Sequence, residues 1–326
     1  MGFLDFIFLF VGTTLISCAT TGVTLHFLKR KGIVDAPNIR SSHKTPTPRG
    51  GGLAVILVIL ATSTLILVGK LPGYHWLIGA TLFIGLVSWI DDLNGLSATI
   101  RLFSQFISVG CIFWLMPASN LYFHGIFPFW IDNLIAMILW VWFINLFNFM
   151  DGIDGITVVE SSSIGLGLFL LMMSGVAQTS HGLLGLVITA AALGFVWWNW
   201  YPAKLFLGDV GSVPLGFLLG WLLLEILASP LWTVAIILPL YYLMDATITL
   251  LRRALRGERV WQAHREHFYQ QAVGNGVSHA RISLIIAGVN VLLIGWAFLS
   301  LLQPRLAIMG AVICVSSELL YMRNVK

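Results

Sequence analysis

Eleven apolar runs of about 20 residues, the length a helix needs to cross a bilayer's hydrocarbon core, follow one another along the chain. They lie near 3–28, 50–69, 73–90, 100–117, 130–147, 156–175, 181–200, 212–228, 231–251, 281–302 and 305–323. A lipid-embedded segment must satisfy its own backbone hydrogen bonds, so these runs are expected to be helices. Charged residues make up only 10% of the 326, against about 25% in ordinary soluble domains. The expectation is an all-α fold: a polytopic membrane helical bundle of about 11 transmembrane helices, a single domain over 1–326. The first run has no basic region before it and no small-residue cleavage site, so it reads as a retained span rather than a cleaved signal. Cys18, Cys111 and Cys314 lie apart in apolar runs and read as small hydrophobes, not as disulfide or thiolate–metal partners.

A periplasmic N-terminus puts sixteen of the 18 Lys and Arg on inside segments and leaves Lys70 and Arg305 outside, the asymmetry of the positive-inside rule. The C-terminus is then cytoplasmic. The acids played no part in this assignment, yet Asp35, Asp91, Asp92, Asp151, Asp154, Asp209, Glu258 and Glu266 all fall at cytoplasmic ends or loops. The net charge of +4 therefore records topology, and no nucleic-acid partner is expected. Within the spans, Asp245 and Glu160 are expected to line a cytoplasmic cavity and Glu225 and Glu318 to pair locally.

Chemistry concentrates in the inside loops near 29–49, 91–99, 148–155, 201–211 and 252–280. Asn145, Asn148, Asp151 and Asp154 recur at i, i+3 spacing and fan across one helix side until Gly152 and Gly155 let the chain turn. Ionisable groups beside lipid persist mainly where they line a wet cavity or bind something. The first loop joins Lys44 and Arg49 to a rigid Pro segment and the triple glycine 50–52, and reads as an anion-handling loop. Asp91 and Asp92 are adjacent carboxylates that need a proton or a cation close by. Asp209 stands between glycines at the start of a helix, where unpaired N–H groups suit phosphate and one carboxylate suits a Mg²⁺ shared with substrate phosphates. The last loop is dense in arginine, with His264 and His267 flanking Arg265 so that two imidazoles could share one phosphate or one proton.

Together these residues carry a resemblance. Asp91-Asp92-x-x-Gly-Leu, Asn145-x-x-Asn148-Phe-x-Asp151-Gly-x-Asp154-Gly, Asn199-x-x-Pro202-Ala and Phe206-x-Gly208-Asp209-Val-Gly-Ser, in this order and ahead of a late His-containing loop, resemble the polyprenyl-phosphate N-acetylhexosamine-1-phosphate transferase family (glycosyltransferase family 4-like). The Asp35-to-His43 and His264-to-Gln270 segments look most like its O-antigen, lipopolysaccharide-initiating branch. The consecutive histidines of the peptidoglycan branch are missing, which speaks against a MurNAc-pentapeptide donor.

The resemblance implies a bacterial inner-membrane enzyme with its active site toward the cytoplasm. It would transfer an N-acetylamino-sugar 1-phosphate from a UDP-sugar to undecaprenyl phosphate and release UMP. It also implies that Asp209 holds Mg²⁺ (with Mn²⁺ as a substitute), that Asn148, Asp151, Asp154 and Asn199 shape the nucleotide pocket, that Phe206 stacks on uracil, and that Asp91 and Asp92 orient or deprotonate the lipid phosphate. A covalent aspartyl intermediate stays open as an alternative. The expected partners are undecaprenyl phosphate, a UDP-N-acetylamino sugar and the bilayer, with a homodimer left open.

Trp261, Phe268 and Tyr269 suggest an apolar sugar pocket and so a 6-deoxy donor with tolerance for GlcNAc. The rival class is a proton-coupled transporter. It would predict internal repeats and a midplane site, whereas the motif acids gather at one face.

Overall fold

The structure, a computed structural model, describes residues 2–37, 45–116, 121–258 and 264–325. Lys44 and Trp261 lie outside the described residues. The helices run α1 (Phe3–Lys31), α2 (Gly52–Leu67), α3 (Tyr74–Asn94), α4 (Ala98–Leu115), α5 (Phe129–Phe149), α6 (Ile156–Met173), α7 (Thr179–Asn199), α8 (Asp209–Leu227), α9 (Trp232–Ile237), α10 (Leu240–Leu255), α11 (Phe268–Gly274), α12 (His279–Leu299) and α13 (Pro304–Asn324). Among the described residues nine of them are long and apolar enough to cross a membrane. The chain is an all-α, multi-pass membrane protein.

The two remaining apolar runs behave differently. The second is α2, only 16 residues long. The ninth is broken into α9 and α10 at Pro239, because proline has no N–H to continue the ladder and its ring collides with the preceding turn.

Burial follows the breadth of each apolar face. Helix α8, apolar on all sides except for Asp209, Ser212 and Glu225 near its ends, has 89% of its span buried, whereas α1 has 11%, so α8 is the axis of the bundle and α1 an outer wall. The closest helix pairs are joined by glycine. A Cβ on Gly165 would stand 2.4 Å from the Gly185 carbonyl between α6 and α7, and one on Gly52 only 2.1 Å from the Gly211 Cα, where α2 meets α8. Small residues at such crossings let backbones touch.

The 45–52 segment is built into the bundle end. β1 (Val34–Asp35) pairs antiparallel with β2 (Thr47–Pro48), and Phe206 N–H donates to the Pro48 carbonyl at 2.9 Å. Gly51 N–H donates to the Phe206 carbonyl at 2.9 Å and Gly52 N–H to the Leu207 carbonyl at 2.8 Å. The triple glycine thus serves a close backbone approach, as expected, but toward the chain's own 206–207 segment.

Candidate functional site

These backbone bonds bring Arg49 to the first turn of α8. Its guanidinium pairs with Asp209 and, at 2.8 Å, with Asp92 Oδ1. Burial opposes the charge, but Asp209 and Asp92 outweigh it and hold the Arg49 pKa well above its ordinary value. Asp92 also accepts the N–H of Asp209 at 3.0 Å and of Val210 at 2.9 Å. It therefore caps α8 from α3, satisfying two N–H groups that a helix start leaves unpaired.

Asp91 turns the other way. One oxygen accepts Leu96 N–H and the other lies 3.3 Å from Arg101 Nη1. That same Arg101 nitrogen is 3.7 Å from Asp209 Oδ2, and the Asp91 and Asp209 carboxyl groups are close enough to interact. Three carboxylates and two guanidiniums therefore meet where α3, α4 and α8 converge.

A cavity of about 350 Å³ opens from this cluster. Asp91, Arg101, Asn148 and Asp209 line its head, and Leu102, Phe106, Ile138 and Trp142 line the apolar remainder between α4 and α5. Asn148 accepts the Ser212 hydroxyl, which fixes its amide beside Asp209. Asn145 exchanges hydrogen bonds with Gln105 of α4, so its amide also ties the groove walls together.

Behind the groove, the turn between α5 and α6 is locked to the loop before α8. Asp154 accepts Ala203 N–H at 3.0 Å through its carboxylate and donates its own backbone N–H to His279 Nδ1 at 3.4 Å. Asn199 accepts Gly155 N–H and donates to the Leu205 carbonyl, both at 3.0 Å. Asp151 accepts the Thr157 hydroxyl at 2.6 Å. Burial, with Asp209 and Asp154 adding, pushes its carboxyl up to about 6 against that hydrogen bond and Arg49. Phe206 is half-buried and its backbone bridges Arg49.

The late loop is anchored by Asp245 of α10. Its carboxylate lies 3.1 Å from His267 Nδ1 and accepts Phe268 N–H at 3.1 Å. Asp245, expected to line a cavity, is instead a buried peg for this loop. His267 is buried, while His264 is half-buried with its ring 4.8 Å from that of His267. Burial, then His267 and Arg253, pushes the His264 imidazole down to about 4. Tyr269 and Gln270 lie over Gly152, where a Cβ would stand 2.2 Å from the tyrosine oxygen, which brings the late loop onto the Asp151–Asp154 turn. Arg265 lines a second pocket beside Arg252. Phe268 and Tyr269 are buried in the core, which removes the basis for an apolar sugar pocket made from them.

Of the acids within spans, Glu160 accepts Asn290 Nδ2 at 2.8 Å. Glu318, expected to pair locally, has no hydrogen-bond partner for either oxygen among the described residues.

Sequence reasoning brought Arg49, Asp91, Asn148 and Asp209 to one place. It missed Arg101, counted only for topology, along with Gln105, Ser212, Thr157 and His279, whose partners are 40 to 125 positions away or carry no spacing signal.

Comparison with known proteins adds to this geometry. A family model described as glycosyl transferase family 4 matches residues 74–227. A probable undecaprenyl-phosphate N-acetylglucosaminyl 1-phosphate transferase of Bacillus subtilis is 28% identical over 283 residues, 82% of this chain and 75% of that protein. A decaprenyl-phosphate N-acetylglucosaminephosphotransferase of Mycobacterium tuberculosis is 29% identical, covering 90% of this chain and 83% of its own length. A phospho-N-acetylmuramoyl-pentapeptide-transferase of Campylobacter lari is 34% identical over 55% of this chain and 60% of its own.

Proposed function

We propose that this chain, a member of the polyprenyl-phosphate N-acetylhexosamine-1-phosphate transferase family, moves an N-acetylamino-sugar 1-phosphate from a UDP-sugar to undecaprenyl phosphate. The reaction gives undecaprenyl-diphospho-sugar and UMP and starts a cell-surface polysaccharide, O-antigen in our reading. The groove supports this most directly, because a charged head of Asp91, Arg101 and Asp209 continues into apolar walls at Phe106 and Ile138. A phosphate with a polyisoprenoid tail has that same division.

In the reaction an oxygen of the acceptor phosphate bonds to the sugar-bearing phosphorus, and the bond from that phosphorus to the oxygen retained by UMP breaks. The acceptor is mostly dianionic at neutral pH, its second pKa being about 6, so no obligatory base is needed. Phosphoryl transfer then depends on position and charge. Arg101, shared between Asp91 and Asp209 at 3.3 and 3.7 Å, can turn to the acceptor phosphate. Asn148 is oriented by Ser212 toward the same head. Asp151, Asp154 and Asn199 shape the floor on which the nucleotide lies, with Phe206 at its edge, while His264 approaches from the late loop and Arg265, expected to bind substrate, faces the separate pocket beside Arg252. Asp92 and His267 act by holding α8 and that loop.

The donor set fits Mg²⁺. Asp209 and Asp91 offer hard oxygens, and with Asp92 the three carboxylates exceed the two nearby arginines by one charge. Among the described residues no group of three or more His, Cys, Asp or Glu could hold a metal, so substrate phosphates would complete the shell, as is usual for this ion. Mg²⁺ held by Asp209, with Mn²⁺ as a substitute, would neutralise diphosphate charge.

GlcNAc is the sugar named for two of the relatives, and with Phe268 and Tyr269 buried it becomes the leading donor over the 6-deoxy sugars. Purified protein with undecaprenyl phosphate, Mg²⁺ and a panel of UDP-GlcNAc, the 6-deoxy donors UDP-N-acetylquinovosamine and UDP-N-acetylfucosamine, and UDP-MurNAc-pentapeptide tests this. Lipid product from a small N-acetylamino sugar is expected; product from the peptide donor alone would overturn the branch.

A further inference from the structure

We propose that an arginine pocket at the ends of α10 and α13 binds the phosphate of an anionic phospholipid. The pocket encloses about 420 Å³, and Arg252, Arg256, Arg265 and Arg323 line it, with Glu266 the one acid in its lining.

It is separate from the catalytic groove. Leu250 lines the groove, and two positions along a helix is a turn of about 200°, so Arg252 points to the opposite side of α10. Thr249 and Arg256, at i−3 and i+4 from Arg252, share its side and the pocket wall.

The cations are unequally engaged. Arg256 is held by Glu258 and Glu266. Arg252 lays its guanidinium over the Phe268 ring at 4.9 Å, a contact that uses the flat face and leaves the N–H edge for an acceptor. Arg323, in the last turn of α13, has no ion-pair or hydrogen-bond partner among the described residues. Guanidinium edges converging on a pocket match the oxygens of a phosphate.

The surroundings say which phosphate. Leu251, Leu255 and Leu320 are 58%, 80% and 56% exposed; Leu255 lies three residues beyond Arg252, and Leu320 three before Arg323. A free anion has no use for such a surface, but the acyl chains of a phospholipid cover it. Both helix ends fall on the cytoplasmic side in the charge assignment, where anionic lipid and juxtamembrane arginines attract one another. The occupant would tie α10, the 264–266 segment and α13 together and so steady the loop that carries His264.

The test uses the whole protein in nanodiscs of phosphatidylcholine with or without phosphatidylglycerol. Native mass spectrometry should find phosphatidylglycerol retained by the wild type and about 25-fold less tightly by R252A/R323A, at roughly a factor of five for each arginine. Turnover should rise severalfold with phosphatidylglycerol in the wild type, stay flat in the variant, and be equal for both in phosphatidylcholine alone. Retention and stimulation in R252A/R323A as in the wild type would overturn the proposal. So would equal binding of millimolar inorganic phosphate, which would make this a free-anion site. R252K/R323K keeps the charge but not the guanidinium edge, so it should retain lipid at a level between the wild type and R252A/R323A; a melting temperature below the wild type in either variant would point to altered folding and count against the pocket. Retention is read without turnover, so it stands or falls apart from the transferase reading.

Discussion

Asp92 Oδ1 accepts the backbone N–H of Asp209 at 3.0 Å, so one aspartate of the adjacent pair holds in place the helix start that carries the carboxylate proposed to bind metal. Its neighbour Asp91 faces the groove. The two are consecutive in sequence and opposite in task. Asp92→Asn is expected to cost about 1–2 kcal/mol of stability by weakening a charged, buried cap and to lower turnover through α8. Asp91→Asn should leave the melting temperature in place and reduce turnover alone. Thermal unfolding of both variants beside their rates checks the division; equal melting temperatures would contradict it.

His264 and His267 separate in the same way. His267→Ala empties a buried contact with Asp245 and should lower stability by about 1–3 kcal/mol together with activity. His264→Ala should keep the fold and cut turnover by about tenfold or more, the scale of losing one preorganised donor. Its folded pKa of about 4 lies below the ordinary 6.5, so the neutral ring is favoured. The stability it contributes is present above pH 6.5 and is lost as pH falls toward 4. The turnover–pH profile should therefore keep its shape between pH 6 and 8 in His264→Ala. A limb near 6.5 that disappears in the variant would contradict a neutral His264.

Gly52→Ala should separate the starts of α2 and α8, since the new Cβ would meet the Gly211 Cα at 2.1 Å. Backbone on backbone cannot yield by a rotamer change, so both yield of folded protein and turnover should fall sharply. A fully active Gly52→Ala would show that the two helix starts are not in contact.

The all-α, multi-pass fold was legible in the sequence because length and hydropathy alone define a membrane helix. The break at Pro239 was readable in principle, but the run 231–251 is apolar enough to pass as one span. The gathering of Arg49 with Asp209 was legible as two anion-suited loops. What could not be read was division of labour. Nothing in Asp91-Asp92 tells which carboxylate caps a helix 117 positions later. Nothing local separates buried His267 from half-buried His264, because Asp245 anchors one of them from another helix. Phe268 and Tyr269 misled for the same reason, since composition does not say which way a ring points.

Reporter fusions test the orientation. Gly125 and Thr179 should report the periplasm, and Asn94, Gly155 and Gly257 the cytoplasm. Gly155 and Gly257 on opposite sides would be incompatible with Tyr269 lying over Gly152.

The central claim is tested most directly by UMP release from wild type and Asp209→Asn, given undecaprenyl phosphate, UDP-GlcNAc and Mg²⁺. The carboxamide keeps the shape and loses the charge. The account predicts UMP formed one for one with lipid-linked sugar phosphate by the wild type, dependent on Mg²⁺, and nearly abolished in a folded Asp209→Asn protein. Wild-type rate and unaltered Mg²⁺ dependence in Asp209→Asn, or no UMP from the wild type with any UDP-N-acetylamino sugar, would contradict it.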